Sequence, residues 1–331
     1  TFLAVAYIIT TQMNILGASP SVHHQQMMSR GGIFVAMIVV AVIGCGTTAF
    51  LGKSPVVLLP GIGVSAIFAY NIAQKNDIGF EGALIAVMFS TILLTVITVS
   101  NIRQFILKSI PKSLKTIIAI GIGFFLAYIG LRDIGFVQSD HGIPKAQIND
   151  WTQPENYSRV LVGLFVFGLV LCGYFFKIKG PVIIALLVGL VVSVLIGNLV
   201  HNGNVTQYFA QWHGWNYQHL SGFSSNISST LRYFAKPVVW QQPILYFAIL
   251  VITLIDFFDV SGNIYAFRHQ LQAADADSNI ELNMNVQRVL TADAIGGLAN
   301  GFVGVSNSTV FLESGVGIAE GARSGFSALV V

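Results

Sequence analysis

Charged residues are scarce in this sequence. Asp, Glu, Lys and Arg make up 9% of its 331 residues, whereas a soluble domain usually carries about 25%. Hydrophobic residues account for 54% and recur in blocks long enough to cross a bilayer, for which about 20 apolar residues suffice. The alternating segments of about ten residues that mark an outer-membrane barrel do not occur. The composition therefore predicts an all-α polytopic membrane protein surrounded by the lipid bilayer.

Cysteine and metal-site patterns are also missing. The two cysteines, Cys45 and Cys172, both lie in apolar runs, which argues against a disulfide framework and favours small buried side chains. The seven histidines fall in predicted loops or at span ends, and none is spaced with acids or cysteines as metal ligands are. We therefore expect no metal, no cofactor and, because the basic residues lie in loops, no nucleic-acid partner.

The apolar blocks predict ten spans and the start of an eleventh near residue 324. The predicted spans cover 1–17, 32–52, 55–74, 80–102, 113–132, 159–176, 181–200, 241–267, 286–304 and 308–322. The chain begins inside one apolar run and stops where another begins, so we expect an incomplete polypeptide of about ten or eleven spans.

Loop charges predict the orientation. The loop after span four carries four basic residues and no acid: Arg103, Lys108, Lys112 and Lys115. The loop after span six carries two more bases, whereas the loop after span five is rich in acids. Because short cytoplasmic loops carry an excess of Lys and Arg, the N-terminus is predicted to be cytoplasmic and residues 201–239 external.

Two segments resist assignment as ordinary helices. Residues 56–68 (VVLLPGIGVSAIF) and 309–321 (TVFLESGVGIAEG) each show a short β-branched or aromatic run, a break, and then Gly-x-Gly. They fall in spans three and ten, which suggests a duplication of seven spans with the second copy inverted. Interrupted segments at matching positions of two repeats indicate a transporter binding site, since lipid cannot satisfy broken backbone. Two glycine-rich helices in close packing are the alternative.

Four acids lie inside predicted spans and away from the span ends: Asp256, Asp259, Asp293 and Glu313. A charge at the bilayer centre costs about 2.5–3.5 kcal/mol on insertion scales, so such residues usually face the protein interior and serve a function. Asp256 and Asp259 are three residues apart and share a helix face. Two such carboxylates cannot both ionise cheaply, which makes the pair a candidate proton carrier. Satisfied hydrogen bonds between helices are the alternative for each acid.

Several motifs resemble a known family. They are ADAIGGLANGFVGVSNSTVFLESGVGIAEGARSGFSALVV (292–331), IDFFDVSGNIYAF (255–267), PVVLLPGIGVSAIFAYNI (55–72) and TFLAVAYIITTQMNIL (1–16). Together they resemble the purine-permease branch of the nucleobase:cation symporter-2 family, which takes up adenine, guanine, hypoxanthine and the analogue azaguanine. The resemblance runs from the first predicted span to the last residue.

The resemblance implies a fold of fourteen spans in two inverted repeats of seven, with a short strand and a half-helix in spans three and ten. Spans one to four (residues 1–110) and eight to eleven (241–331) would form a core domain. Spans five to seven (111–200) would belong to a gate domain, and residues 201–240 would be an extracellular or periplasmic connection. Family members are homodimers that contact through the gate and move substrate by an elevator-like shift of the core.

The resemblance also implies the site residues. Asp259 and Glu313 would accept or share hydrogen bonds with N–H groups of the purine ring. Backbone groups at Leu312 and near Ala66 would contact the remaining polar edge. Ser65 stands close to the substrate where family members commonly have Asn, which makes the preferred base uncertain.

Two further positions would support the site. Asp293 matches the family's acid in span nine, and Asn263 stands where the family pattern has Thr. The proton, as coupling ion, would bind in the group formed by Asp256, Asp259 and Glu313.

Together these features predict proton-coupled import of a purine nucleobase across the cell membrane, with no enzymatic activity. An anion carrier of the related sulfate-permease architecture is one alternative, although Glu313 would repel an anion there. An intramembrane aspartyl protease would need aspartates on separate helices, whereas Asp256 and Asp259 share one. A third alternative is a membrane sensor or scaffold that does not transport, and only a transport measurement excludes it.

Overall fold

The computed structural model describes most of the chain. The described residues are 7–21, 27–74, 78–109, 117, 120–121, 123–124, 127–128, 130–132, 134–140, 143–145, 154–176, 178, 181–200, 217–275, 285–311, 313–319 and 321–331. Most of the predicted fifth span (113–132) and the candidate site residue Leu312 lie outside them. The chain divides into two units, one formed by residues 1–122 and 216–331 and the other by residues 123–215.

The first unit begins with helices and one short strand. In order they are α1 (Tyr7–Leu16), α2 (Arg30–Thr47, continued by a π-helical turn at Thr48–Gly52), β1 (Leu58–Pro60), α3 (Ile62–Ala66, continued as π-helix over Ile67–Ala73), α4 (Gly79–Val99) and α5 (Ile102–Ser109). Helix α2 starts at Ser29, whose hydroxyl accepts the backbone N–H of Gly32 at 3.3 Å, as N-cap residues do. It ends before Lys53, which has a left-handed φ of 48°.

The second unit is described by a hairpin and two helices. These are β2 (Gln138–Asp140), β3 (Ile143–Lys145), α6 (Pro154–Phe175) and α7 (Pro181–Val200). The strands pair antiparallel, with Ser139 opposite Pro144, and α6 packs against α7. A Cβ added at Gly189 of α7 would overlap Val166 Cγ2 of α6, so the glycine allows this close contact.

The first unit resumes after residue 216. Its later elements are α8 (Tyr217–Phe234), α9 (Pro237–Trp240), α10 (Pro243–Asp275), α11 (Val286–Gly297), α12 (Asn300–Val303), β4 (Ser308–Val310), α13 (Ser314–Ala319) and α14 (Phe326–Val330). Helix α10 packs against α4, α11 and β4, and α8 packs against α2 and α4.

The two short strands of this unit pair with each other although about 250 residues separate them. Strands β1 and β4 run antiparallel, with Leu59 opposite Thr309. The ladder continues past both ends, because Phe311 N donates to Val57 O at 3.1 Å and Gly61 N donates to Asn307 O at 3.0 Å. Backbone groups at membrane depth must find partners inside the protein. Each strand therefore satisfies the other, and each leads into a short helix, α3 or α13.

A hydrophobic core surrounds the strand pair. It joins β1 and the residue pair before it to α10, α11, β4 and α13, and consists of Val56, Leu58, Val260, Ile264, Phe267, Val286, Val289, Leu290, Val310 and Ile318. Side chains from the strands and from three helices thus interdigitate, which holds the strand pair in one position relative to α10 and α11.

Most of the predicted spans correspond to helices. Among the residues that the structure describes, four helices are long and apolar enough to cross a membrane, and they are Arg30–Gly52, Gly79–Val99, Tyr157–Phe175 and Pro243–Tyr265. Spans three and ten contain the strand followed by a short helix that the sequence predicts.

The structure divides the predicted span 286–304 into two helices. Helix α11 ends at Gly297 and α12 is a separate turn that ends before Gly304, whose φ is 96°. The break brings Gly301 against α4, where an added Cβ would lie 2.4 Å from Met88 Cγ. The side chain of Asn300 also accepts a hydrogen bond from Ser308 at 3.0 Å, which ties the turn to β4.

Helix α8 was not predicted, because its polar composition hides it among the residues 201–240 that the sequence assigns to a connection. Its Asn226 is buried and binds both backbone groups of Ser29, accepting from N at 3.1 Å and donating to O at 3.3 Å. Gly222 approaches Gly32 so closely that a Cβ on Gly32 would lie 2.6 Å from Gly222 O. Close backbone approach and one amide therefore anchor α8 on the start of α2.

Candidate functional site

Asp259 lies on α10 where that helix passes β4. Thr309 Oγ1 donates to Asp259 Oδ2 at 2.7 Å, and Asn263 Nδ2 donates to Asp259 Oδ1 at 3.3 Å. Asn263 Nδ2 also donates to Val310 O at 2.9 Å, so the residue that supports the carboxylate also holds the strand. The residue as a whole is half-buried.

Glu313 follows the same strand on the chain. It lies three residues after Val310 and directly before α13, and its side chain is also half-buried. The neighbouring Ser314 is fully buried, and its hydroxyl accepts the backbone N–H of Val57 at 3.0 Å. The position of Glu313 is therefore set by the hydrogen bonds that close this end of the strand pair.

Ser65 and Ala66 lie on α3, after the other strand. Both are buried, and the hydroxyl of Ser65 shares a hydrogen bond of 2.5 Å with Ser306. Ser306 precedes β4, so this bond joins the two interrupted segments a second time. The Ser65 side chain thus has a partner inside the protein, and it stands next to the strand pair whose Thr309 donates to Asp259.

The other two acids are almost completely buried. Asp256 and Asp293 are each 2% exposed. Asn307 Nδ2 donates to Asp256 Oδ2 at 3.0 Å, and Asp293 Oδ2 lies 3.5 Å from Nη1 of Arg103. The four acids that the sequence groups together therefore fall into two pairs, with Asp259 and Glu313 half-buried and Asp256 and Asp293 enclosed.

Arg103 is the functional candidate that sequence reasoning missed. The sequence assigns it to a basic cytoplasmic loop. In the structure Arg103 is fully buried, since the left-handed turn at Asn101, with a φ of 58°, reverses the chain after α4. The only signal in the sequence was indirect, because a buried aspartate such as Asp293 requires a cation.

The guanidinium of Arg103 is bonded in three directions. Its Nε donates to Ser261 Oγ at 3.2 Å, Nη1 to Thr98 Oγ1 at 3.4 Å and Nη2 to Phe257 O at 3.3 Å. Its carbon Cζ lies 5.4 Å from the centre of the Phe257 ring. Arg103 thereby connects α5 to α4 through Thr98 and to α10 through Phe257, the residue that follows Asp256. Its ion pair with Asp293 adds a contact with α11.

Among the described residues, no group of three or more His, Cys, Asp or Glu side chains could hold a metal ion. The chemistry that the site offers is hydrogen bonding to carboxylates and proton binding by them.

Comparison with known proteins gives the family. The model of the Permease family, which covers nucleobase:cation symporter-2 proteins, matches residues 1–331, the whole chain. The chain belongs to this family. It is therefore a multi-pass membrane permease, and its relatives are transporters and not enzymes.

Two relatives have named substrates. The guanine/hypoxanthine permease PbuO of Bacillus subtilis is 28% identical over 348 residues, which cover 100% of this chain and 70% of the relative. The adenine permease AdeP of Escherichia coli is 24% identical over 332 residues, covering 100% of this chain and 67% of the relative.

A solved structure has a similar fold. The transmembrane domain of the cyanobacterial bicarbonate transporter BicA matches with a TM-score of 0.61, covering 99% of this chain and 77% of that domain. At 15% identity this likeness concerns the fold alone. It confirms a mostly helical transporter fold for this permease, whereas the division into two inverted repeats of seven spans stays a prediction.

Proposed function

We propose that this permease imports purine nucleobases, adenine or guanine and hypoxanthine, by proton symport. The family and the relatives named as adenine and guanine/hypoxanthine permeases support the substrate class. The observation in the molecule that carries the proposal is the pair of half-buried carboxylates, Asp259 and Glu313, positioned by β4.

A purine fits the chemistry of these two groups. It is a flat heterocycle with N–H donors and nitrogen or oxygen acceptors around its edge, so it needs a few polar groups at fixed positions in an otherwise apolar surface. Each oxygen of Asp259 accepts one hydrogen bond from the protein. An ionised carboxylate has about four acceptor positions, so Asp259 retains capacity for a ring N–H.

The neighbouring segments would complete the site. In this proposal, backbone groups at Leu312 and near Ala66 bind the remaining polar edge of the base. Ser65, which is bonded to Ser306, influences the choice of base by holding α3 against the segment that leads to β4.

Transport in this proposal follows the elevator mechanism. The core, residues 1–110 and 241–331, moves against the gate, residues 111–200, in a homodimer that contacts through the gate. An acid among Asp256, Asp259 and Glu313 takes up the coupling proton, and the N-terminus faces the cytoplasm. The support is the strand and short helix found in both interrupted segments, as expected where broken backbone lines a substrate path.

One observation favours a second candidate, an anion transporter, because the fold neighbour is a bicarbonate transporter. The charge of the site argues against it. Both acids at β4 would repel an anion, and a carboxylate next to a bound anion is unfavourable in a site of low dielectric.

Uptake measurements with the full-length protein test the proposal. Cells expressing it should accumulate labelled adenine or hypoxanthine, unlabelled purines should compete, and uracil should compete poorly. Comparing the competition by adenine, guanine, hypoxanthine and xanthine shows which base is preferred. Dissipating the proton gradient with an uncoupler should abolish accumulation. Uptake of labelled bicarbonate or sulfate in place of purines would support the anion carrier, and uptake of none of these would favour a sensor.

A further inference from the structure

The enclosed acids and Arg103 do not balance in charge. Asp256 and Asp293 would contribute two negative charges, and Arg103 contributes one positive charge at 3.5 Å from Asp293. Asp259, three residues further along the same helix, adds a further negative charge. An unpaired ionised carboxylate is very unfavourable in a protein interior, so the enclosed group is expected to hold one proton.

The contacts indicate which carboxyl group holds it. The donors of Arg103 are directed to Ser261, Thr98 and Phe257 O, and its charge is closest to Asp293. Asp256 receives a hydrogen bond at Oδ2 from Asn307, whereas Asp256 Oδ1 is buried and has no hydrogen-bond partner among the described residues. Both oxygens of Asp293 likewise have no hydrogen-bond partner among these residues, so a free oxygen does not separate the two acids. The ion pair separates them, because Arg103 lies 3.5 Å from Asp293 and stabilises its ionised form, whereas Asp256 has no salt bridge among the described residues.

Asp256 is also connected to the strand pair. Asn307 Nδ2 donates to Asp256 Oδ2 at 3.0 Å and to Ser90 Oγ at 3.2 Å. The backbone oxygen of Asn307 accepts from Gly61 N at 3.0 Å, directly before α3. A change of charge at Asp256 therefore acts on a residue that is hydrogen-bonded to the first interrupted segment and lies directly before β4.

We propose that Asp256 is the proton-binding carboxyl of this permease, and that Arg103 assigns it this role by neutralising Asp293. The proton site is then separate from Asp259 and Glu313, which bind the substrate. The inference rests on the proposed function of proton-coupled purine import. In the outward-facing state Asp256 takes one proton from water and becomes a neutral acid; in the inward-facing state it returns that proton to water.

The variant Asp256→Asn tests the proton site. Asn is a neutral isostere of protonated Asp and still accepts the hydrogen bond from Asn307. The purine affinity should therefore stay within about threefold of wild type, which is well under the tenfold change that 1.4 kcal/mol represents. In proteoliposomes, counterflow exchange of labelled purine should persist. A gradient of one pH unit supports about tenfold accumulation for one coupled proton, and this accumulation should be lost in Asp256→Asn.

The matched comparison is Asp259→Asn, which should lose binding and counterflow together. Gradient-driven accumulation by Asp256→Asn would overturn the proposal, and so would a loss of purine binding equal to that of Asp259→Asn. If the wild-type protein neither binds nor transports purines, the proposed function itself has failed, and the wild-type measurement separates that result from a failure of the proton site alone.

The role of Arg103 has its own test. Arg103→Gln leaves Asp293 without its cation, so Asp293 should compete for the proton, and the pH profile of uptake should change. Combining Arg103→Gln with Asp293→Asn removes both charges and should restore coupled accumulation to within about threefold of wild type, because neutral replacement of a buried pair is often tolerated. Arg288→Gln, an exposed residue of α11, is the control. A double variant that folds and binds purine but stays uncoupled would refute this role.

Discussion

Helix α10 carries two aspartates three residues apart in very different surroundings. Asp259 is half-buried and held by neutral side chains, Thr309 and Asn263, next to β4. Asp256 is 2% exposed and lies beside the ion pair of Arg103 and Asp293. The difference teaches that one helix can leave one acid partly exposed and, on almost the same face, enclose another.

The two surroundings also predict different costs of mutation. Removing one partner of a buried ion pair typically costs about 3–5 kcal/mol of stability, because the other charge is left uncompensated. A half-buried carboxylate can be replaced by its amide at lower cost. At Asp259 the amide oxygen can still accept from Asn263, and the hydroxyl of Thr309 can instead accept from the amide nitrogen. A substitution of Asp259 should therefore be able to abolish function in a protein that still folds. A substitution of Asp293 should reduce both function and stability.

The largest expected effect comes from replacing the half-buried acids. Asp259→Asn and Glu313→Gln should each reduce purine affinity by about 10- to 150-fold, because a hydrogen bond to a charged group contributes about 1.5–3 kcal/mol. Uptake at low substrate concentration should fall below detection. Labelled purine binding to purified full-length protein measures the affinity, and thermal denaturation in detergent measures the stability.

Both variants should denature within a few degrees of wild type, whereas Asp293→Asn, the matched change at an enclosed acid, should denature at a clearly lower temperature. Purine binding at wild-type affinity by both Asp259→Asn and Glu313→Gln would show that the half-buried pair is not the substrate site.

How much of this site could be predicted from sequence depends on how far apart along the chain the interacting residues lie. The strand and short helix in each interrupted segment follow from local patterns, β-branched residues and then Gly-x-Gly, and both were predicted. The acids were found because an acid in an apolar run is conspicuous. The burial of Arg103 was missed because it pairs with a residue 190 positions away on the chain, and a local count of loop charges treats every base as exposed.

Tertiary contact also explains the other two differences. The break between α11 and α12 depends on the contact of Gly301 with Met88 on α4. The glycines at residues 296, 297 and 301 do not by themselves distinguish a break from a closely packed membrane helix. Helix α8 is stabilised by Asn226 and Gly222 against the start of α2, so its polar composition conceals a packed helix. Propensity and hydropathy describe neither contact.

A smaller effect is expected from the residue that orients Asp259. Thr309→Val keeps the shape of the side chain and removes the hydroxyl that donates to Asp259 at 2.7 Å. The carboxylate then loses one of its supports, and purine affinity should fall by about tenfold, the lower end of the range for a charge-assisted hydrogen bond. Thr309→Ser keeps the hydroxyl and should bind within about threefold of wild type. Equal affinities of the Val and Ser variants would mean that Thr309 supports the strand and not the carboxylate.

The smallest effect is expected at Ser65, where the hydroxyl is bonded inside the protein and not to the ligand. Ser65→Ala removes the bond to Ser306, and a neutral hydrogen bond contributes about 0.5–1.5 kcal/mol net. Stability should therefore fall slightly, and the affinity for the preferred base should change by less than about tenfold. Competition by adenine, guanine, hypoxanthine and xanthine measures whether the order of preference changes. Because Ser65 joins α3 to the segment before β4, a uniform loss for all bases indicates a structural role. A reversed order of preference would place its hydroxyl among the groups that contact the base.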